Sequence, residues 1–465
     1  MSKRGTGLAL ATAALLGSLA ARADFQGAMR DYNAGRYDAA HREFLALAEL
    51  GDCSSQFNLG AMALQGQGGP KDPASGIGWL EAAAGNGCEQ LVGDKLPGLT
   101  ARLSADQSQA AASIVARYGR DALHAAGVVD PEFTCPGSTS ASVLSAPTPE
   151  YPARVAFKGQ QAIVISALTI GADGLARDPE ILVAAPGDGF AAAAVEAWLN
   201  SRFTPATRDG RAVAARLQAK TLFAVTGSGP LADAQTFKVA RTAAAAGDPQ
   251  ARYLLGLTAT LDASLGISSV RAEQMLIGSA RDGQSDSQYW VGAQLRAASA
   301  CHPRADGTVW LRHAAAGGSA AAQLLLAGDL LADTPSAAQA AEARALLEKA
   351  SGSDNYFVAK HVTALLAASP LEAVRDPPTA LAVAGRLAAG EIQSDPQMFE
   401  ALAAADAANG DFRGAVAQQE LALQKANRLG WDTHAMHDRL GAYRREQPWR
   451  GDLLPLPPGS ARSTT

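Results

Sequence analysis

Small residues recur along the chain at the spacing of a helical repeat. Gly247, Gly283 and Gly318 follow one another at steps of 36 and 35 residues, and each is followed nine residues later by a glycine or an alanine. Apolar residues surround the second small position, so an apolar stripe can face a neighbouring helix. A period in the thirties is typical of a solenoid of helical pairs. The pattern predicts helical repeats over residues 227–375.

Related patterns mark both ends of the chain. Gly51 begins another step of 36 residues, which predicts helical repeats over residues 24–134. Ser104 and Gln107 have the spacing of a capping box, so we expect one long helix to close this block. Residues 376–450 predict a further helical pair.

The middle of the chain has a different pattern. Residues 135–147 are rich in serine, threonine and proline and predict a linker. Apolar and β-branched residues over 162–170 predict a strand, a glycine turn follows, and residues 176–184 predict a second strand that pairs back. An alanine-rich helix over 190–200 and a last strand over 212–225 complete the unit. The sequence thus predicts a multidomain, mainly α-helical solenoid with a small central α+β domain of order strand–strand–helix–strand.

Composition narrows the class of protein. Of 465 residues, 48% are hydrophobic, 6% aromatic and 18% charged. The length excludes one small domain, and the scarcity of charged and aromatic residues favours packed helices of small residues. Lysine and arginine number 40 against 45 acidic residues, which gives a net charge of −5. Because the basic residues are scattered, the electrostatic pattern of a nucleic-acid-binding protein is missing.

The N-terminus has the pattern of a secretory signal. Two basic residues precede an apolar stretch over residues 7–20, and the small residues Ala21 and Ala23 supply a cleavage pattern. We expect residues 1–23 to be removed on export to the periplasm, where partners alone would attach the protein to a membrane. An uncleaved anchor is the alternative, but the stretch is shorter than the ~20 residues that span a bilayer. The tail over 451–465 is expected to be disordered, or to be a short ligand for another domain.

The central domain resembles a known family through several short motifs. Tyr151 and Pro152 open the domain, a turn ends at Gly174, and a phenylalanine–threonine–proline run follows the helix. Over residues 148–226 these motifs are similar to the C-terminal domain of the TonB energy-transducer family. The structural positions of the motif are Tyr151, Pro152, Gly174, Phe203, Pro205 and Gly210.

This resemblance implies a way of binding. In the family, the domain adds an extended segment of an outer-membrane transporter to its sheet as a further strand. The corresponding candidate partner-binding residues here are Arg211, Val213, Ala215, Leu217, Ala219, Thr221 and Phe223. A transducer also needs a retained membrane helix and a long proline-rich stretch. Because this chain has a cleavable signal pattern, repeats and a short linker instead, energy transduction does not carry over.

The helical blocks resemble a second family. Residues 48–84 place Gly60 and Trp79 where Sel-one-like repeats, relatives of the tetratricopeptide repeats, have their first and second helices. The copies over 227–375 keep the period but lose the glycine turn, and residues 376–450 are tetratricopeptide-like. Both families are protein-binding scaffolds, so the resemblance implies protein binding here.

Motifs for catalysis, cofactors and metals are missing from the sequence. The run from Gly187 to Gly189, with Asp209 further on, imitates a dinucleotide fingerprint. However, its flanking strands are predicted to form a hairpin rather than a βαβ unit. His434 and His437 could share one helix face, yet no third metal ligand lies nearby. We therefore expect no enzyme activity, no cofactor, no metal site and no small-molecule substrate.

Four cysteines in an exported chain permit disulfides. Cys53 and Cys88 occupy equivalent positions in consecutive repeats, and a helix-packing distance of ~8–10 Å argues against their pairing. A bond between Cys88 and Cys135 is freer, because Cys135 lies in the predicted linker. Cys301 and His302 are adjacent rather than spaced as a nucleophile and its base, so we expect a loop between repeats there.

These patterns together predict an exported adaptor, in which two repeat scaffolds flank a strand-binding module. Its expected partners are envelope proteins, outer-membrane transporters among them. An alternative is a TonB-family protein that assists outer-membrane transport, with its signal retained or an anchor supplied by a partner. A third hypothesis is a cell-wall hydrolase built on the repeats, for which the sequence offers no catalytic cluster. The partner's identity and the oligomeric state stay open.

Overall fold

The computed structural model describes most of the chain. The described residues are 25–153, 161–185, 188–224, 231, 234–298, 301–302, 307–332 and 334–456. The predicted signal over residues 1–23 lies outside them, as does the end of the predicted tail over 457–465.

The N-terminal block is built from helices, as predicted. They are α1 (Phe25–Asn33), α2 (Tyr37–Glu49), α3 (Cys53–Gln65), α4 (Pro73–Ala83), α5 (Glu89–Val92), α6 (Leu96–Thr100), α7 (Ala105–Tyr118) and α8 (Arg120–Ala125). The predicted capping box begins α7: the Gln107 backbone N–H donates to the Ser104 hydroxyl, and the Ser104 N–H donates to the Gln107 side chain. The single long helix that we expected is two, because the backbone of Gly119 is extended.

The C-terminal block is a longer series of helices, each packed on the next. They are α10 (Gln235–Ala245), α11 (Pro249–Leu261), α12 (Ser269–Arg281), α13 (Ser285–Ala298), α14 (Thr308–Ala316), α15 (Ala320–Leu331), α16 (Ala337–Ala350), α17 (Tyr356–Ala368), α18 (Pro377–Ala388), α19 (Pro396–Ala408), α20 (Phe412–Leu429) and α21 (His434–Arg444).

The small residues of the repeat pattern lie where helices approach closely. A Cβ atom on Gly60 would lie 3.0 Å from a backbone oxygen of α4, and one on Gly256 would lie 3.0 Å from a backbone oxygen of α12. Gly292 has the same relation to the residue before α14, and Ala327 is fully buried. Side chains larger than these would separate the helices of each pair. This common packing confirms helical repeats on both sides of the central domain.

The central domain contains one helix, α9 (Ala191–Leu199), and several strands. The strands are β1 (Ser138–Thr139), β2 (Ser142–Ser145), β3 (Ala162–Ile170), β4 (Ala176–Ala185), β5 (Arg202–Thr204), β6 (Ala206–Arg208), β7 (Arg211–Val213) and β8 (Ala215–Phe223). The main sheet is antiparallel in the order β4–β3–β8, and α9 packs on one face of it. The strand–strand–helix–strand order is confirmed.

Two expectations about the edges of this domain are wrong. The stretch over 135–147 is not a free linker, because β1 pairs with β6 and β2 pairs with β5. Of the tail, residues 451–456 are ordered against the last repeats: Leu453 and Leu454 are buried in their core, and the Gly451 N–H donates to the Ala368 carbonyl. Apolar side chains within the proline-rich tail explain this docking.

The two helical blocks also touch each other. The Trp310 indole N–H donates to the Gly127 carbonyl at 3.0 Å, and His313 lies 3.4 Å from the Glu49 carboxylate. The chain therefore folds into blocks that pack together, with the central sheet between them in sequence.

Candidate functional site

The predicted partner-binding strand is divided between two sheets. Arg211 and Val213 belong to β7, which forms a short hairpin with β6. The five other candidates, Ala215, Leu217, Ala219, Thr221 and Phe223, lie on β8, which pairs with β3 along its whole length. The strand breaks at Ala214. The candidate residues thus do not form one continuous edge.

Side chains of the five β8 candidates point into the domain and not towards a partner. Ala219 contributes to a core with Phe203, and Phe223 packs on Phe190 with ring centroids 4.9 Å apart. Successive side chains of a strand alternate between faces, so the residues between the candidates face the C-terminal repeats. A partner can therefore bind the backbone of β8. Beyond Lys220 it can also contact a side chain, because Leu222 is 43% exposed.

The outer edge of β8 has no strand partner among the described residues, since β8 is the last strand in the sheet order. Helix α11 contacts β8, and the Lys220 ammonium lies 3.1 Å from Asp262, which follows α11. Burial acts against ionisation of Asp262, but hydrogen bonds from Ser264 and the nearby Lys220 lower the pKa of that carboxyl. An unpaired edge of nine residues is a site at which another strand can add.

The opposite edge, on β4, is closed in its first half. A β-bulge opposite Leu168 places Asp178 at the edge with a positive φ of 54°, a conformation that aspartate tolerates better than most residues. The Asp178 N–H then donates to the Gln397 side chain at 2.9 Å. A helix terminus of the repeats, rather than a strand, therefore satisfies this part of the edge.

A buried ionic cluster joins the sheet to the repeats around this bulge. It consists of Asp178 and Glu180 on β4, Arg216 on β8, Lys360 and His361 on α17, and Asp395 before α19. The Lys360 ammonium is 3.0 Å from both Asp178 and Asp395, and the His361 Nε2 is 2.6 Å from Asp178. Arg216 is 2.7 Å from Glu180. Each charged group of this buried ionic cluster has a partner, as burial requires.

The neighbouring charges keep Asp178 and Lys360 ionised. Burial opposes the charge on Asp178, but His361 and Lys360 hold the pKa of that carboxyl well below its usual range. Burial likewise opposes the charge on Lys360, yet Asp395 and Asp178 raise its pKa above the usual value. Burial and the nearby Asp395 raise the pKa of Tyr356 well above the usual value. The contact between Asp178 and Lys360 is therefore an ion pair at neutral pH.

Sequence reasoning missed this cluster. Its signal was a lysine and a histidine, Lys360 and His361, in the middle of an otherwise apolar helix, and two acidic residues inside a predicted strand. Buried charged residues are rare unless paired. The partners could not be identified from the sequence, because Asp178 and His361 are separated by 183 residues.

The family-motif residues described below take part in packing and in turns of the central domain. The Tyr151 ring packs edge-on against Phe190 with centroids 5.4 Å apart. Gly174 has a positive φ of 74°, and a Cβ atom there would lie 2.4 Å from the Phe203 carbonyl oxygen. Gly210, also with a positive φ, forms the turn of the β6–β7 hairpin. Pro205 separates β5 from β6.

The dinucleotide-like run has the context that the sequence predicted. Strands β3 and β4 form an antiparallel hairpin, and Asp209 lies in the β6–β7 turn with a φ of 50°. Gly187 lies outside the described residues. His434 and His437 are exposed in the first turn of α21. Within the described ranges, no group of three or more histidine, cysteine or acidic residues is arranged to hold a metal ion.

The cysteines pair differently from our expectation. Cys53 is bonded to Cys88, with Cα atoms 5.7 Å apart, and Cys135 is bonded to Cys301. Both the argument against the first pair and the Cys88–Cys135 alternative are wrong. The helix-packing distance did not apply, because a π-helical turn with a positive φ at Gly87 brings Cys88 towards the start of α3. Cys301 is in a disulfide, so its sulfur is not a free thiol in this structure.

A comparison with known protein families agrees with the resemblance that the sequence of the central domain shows. Residues 147–225 match the family described as Gram-negative bacterial TonB protein C-terminal. This match covers the TonB-like domain, and helical repeats flank it. Among solved structures, the chain is similar to a protective antigen present in uropathogenic Escherichia coli strains and displaying an SLR fold. That similarity has 16% identity and a TM-score of 0.33, over 91% of this chain and 78% of the other. A search of curated proteins finds no match.

Every helix of the described residues is too short or too polar to cross a lipid bilayer.

Proposed function

We propose that this protein is an interaction adaptor of the Gram-negative envelope, in which the TonB-like sheet accepts an extended segment of a partner along the outer edge of β8. The observation that carries this proposal is the nine-residue edge of β8, which none of the described strands pairs with. Backbone hydrogen bonds along such an edge supply affinity, and side chains beside it supply specificity.

Attachment of the sheet to the repeats supports an adaptor more than a mobile transducer. The buried ionic cluster fixes β4 and β8 to α17, and the Cys135–Cys301 disulfide fixes the start of the central domain to the C-terminal repeats. A partner held on β8 would therefore be held in a fixed position relative to both scaffolds. Repeat surfaces can then bind a second protein.

Export to the periplasm is part of the same proposal. Two disulfides join all four cysteines, and disulfides persist mainly in oxidising compartments such as the periplasm. The matched family is a domain of Gram-negative envelope proteins. We propose no enzyme activity, since the sequence and the described side chains offer no catalytic constellation to assign.

Site-specific photo-crosslinking in envelope fractions tests the strand-acceptor role. A photoreactive phenylalanine replaces Leu222 at the β8 edge, and a second variant carries it at Leu421 on α20, where the exposure is almost equal, 42% against 43%. We expect outer-membrane transporters or other envelope proteins to be captured through position 222 and not through 421. Hydrogen exchange of the captured complex should show slower exchange over β8. Equal capture at both positions, or unchanged exchange over β8, would refute the proposal.

A further inference from the structure

The segment that follows α21 lies across two earlier helices of the C-terminal repeats. We call its residues 450–456 the docked tail. The Arg450 guanidinium donates to the Ala367 carbonyl at 3.0 Å. The Gly451 N–H donates to the Ala368 carbonyl at 2.9 Å. Both carbonyls belong to the last turn of α17, where a helix leaves carbonyls without partners of its own. The docked tail therefore begins by capping the end of α17.

Leucine side chains hold the rest of the docked tail. Leu453 and Leu454 are 7% and 6% exposed and belong to the core of the C-terminal repeats, and Leu456 packs against the same core. Within the described part of the chain, no hydrogen bond involves residues 452–456. Apolar contacts are not directional. Another extended segment with the same spacing of leucines can therefore make them.

A glycine of α15 makes room for the last of these leucines. A Cβ atom on Gly328 would overlap the Leu456 side chain, and no other described helix comes within 4 Å of that position. The packing glycines of the repeats differ, because a Cβ atom on Gly60 or Gly256 would meet the paired helix. Pairing of helices therefore does not require a glycine at position 328. Its missing side chain leaves space for a residue that enters from outside the repeats.

From these contacts we propose that the surface from α17 to Gly328 of α15 is a binding groove for an extended partner segment with the pattern Leu-Leu-Pro-Leu. The docked tail carries this pattern over residues 453–456 and occupies the groove as an intramolecular competitor. A partner segment binds only by displacing the tail, so the tail weakens the apparent affinity for every such segment. The groove is separate from the strand acceptor, since no residue of β8 belongs to the core that the docked tail joins.

Peptide binding to the full chain tests this competition. The probe is a fluorescein-labelled peptide with the sequence of residues 450–458, and its binding is followed by fluorescence polarisation. A tethered segment competes at an effective concentration of about 1 mM, so the original protein should bind the probe weakly. Replacing both Leu453 and Leu454 with aspartate should expel the tail and tighten binding at least tenfold. Leu456→Asp leaves both buried leucines in place and should tighten it at least threefold. Leu381→Asp changes an exposed leucine of α18 and should leave the affinity unchanged.

Two further peptides test the pattern. One has serine in place of all three leucines, and the other keeps Leu-Leu-Pro-Leu and has serine at its remaining positions. We expect the second to bind the variants with an expelled tail at least tenfold more tightly than the first. Equal binding of these two peptides would overturn the assignment of the partner segment.

Two matched glycine variants locate the binding. Added to either tail variant, Gly328→Leu should weaken binding of the probe at least tenfold, because the new side chain fills the space for Leu456. Gly385→Leu should leave it unchanged, since a side chain on this glycine of α18 meets open space. Equal effects of the two glycine variants, equal affinities of the original protein and both tail variants, or no binding by any of them at 1 mM peptide would overturn the proposal. None of these variants changes β8, so failure here is separate from failure of the strand-acceptor role there.

Discussion

Replacing Lys360 with methionine tests the energetic role of the buried ionic cluster. The lysine side chain has no exposed surface, and its ammonium is 3.0 Å from each of two carboxylates, Asp178 and Asp395. Methionine has a similar length and fills the space, so lost packing contributes little. Asp395 is then buried without its cation and Asp178 keeps only His361 and Arg216, and loss of one partner from a buried ion pair costs about 3–5 kcal/mol. We expect the free energy of unfolding to fall by about 4 kcal/mol.

Urea unfolding at pH 7 measures this loss, with hydrogen exchange to locate it. The exchange should accelerate most in β4 and α17, the two elements that the lysine joins. Lys349→Met is the matched control, because Lys349 is an exposed lysine on α16; such surface changes stay within about 0.5 kcal/mol. Adding Asp395→Asn to the Lys360→Met variant should recover part of the stability, since Asp395 is the carboxylate that loses its cation. A loss below about 1 kcal/mol for Lys360→Met would refute the interpretation that these charges depend on one another.

Three further predictions concern single positions. Gly174→Ala should lower the free energy of unfolding by about 2 kcal/mol or more, because the added Cβ meets the backbone of β5 in a left-handed conformation. Gly210→Ala is the control: its φ is also positive, but the added Cβ meets open space, so the cost should be about 1 kcal/mol. Equal losses of the two variants in urea unfolding would contradict the steric argument. Burial and a nearby carboxylate raise the pKa of Asp406 to about 6, so the folded protein favours the protonated form and loses stability as the pH rises from about 4 to above 6. Because the side chain is half-exposed, Asp406→Asn should raise the free energy of unfolding by only about 1–2 kcal/mol at pH 7.5 and should not change it at pH 4. An equal gain in stability at both pH values would exclude the charge of Asp406 as its cause. Cys135→Ser and Cys301→Ser should each lower the free energy of unfolding by up to about 5 kcal/mol, as expected for a loop that spans 166 residues. The double variant should be no less stable than either single variant. A Cys301→Ser variant as stable as the original protein would exclude this pairing.

Local patterns predicted the elements of the central domain well. Strand β3 has the predicted bounds, and its hairpin with β4 follows from a strand run, a glycine turn and a second run. The same holds for the helical repeats, because the spacing of small residues determines where two helices can meet. These signals lie within a few tens of residues of the structure that they specify.

Features that depend on distant partners could not be predicted in this way. The break at Ala214 arises because β7 pairs with β6 in one sheet while β8 pairs with β3 in another. The Cys53–Cys88 bond depends on a turn that leaves the regular helix at Gly87. Periodicity describes neither event, since each is decided by tertiary contacts or by a local departure from helical geometry.

The Cys135–Cys301 disulfide also determines how a pulling force would travel through the molecule. Tension applied between the N-terminal block and the last repeats passes across the sulfur–sulfur bond, because the bond joins the chain before the sheet directly to the chain after it. The chain between the two cysteines spans 166 residue steps, which at ~3.4 Å each are ~560 Å of chain that remains slack under such a load. The chain of the sheet would therefore not be stretched along its length while the ends are pulled, and load would reach the sheet only through its packing on the repeats, from a partner attached to it, or after the bond is reduced.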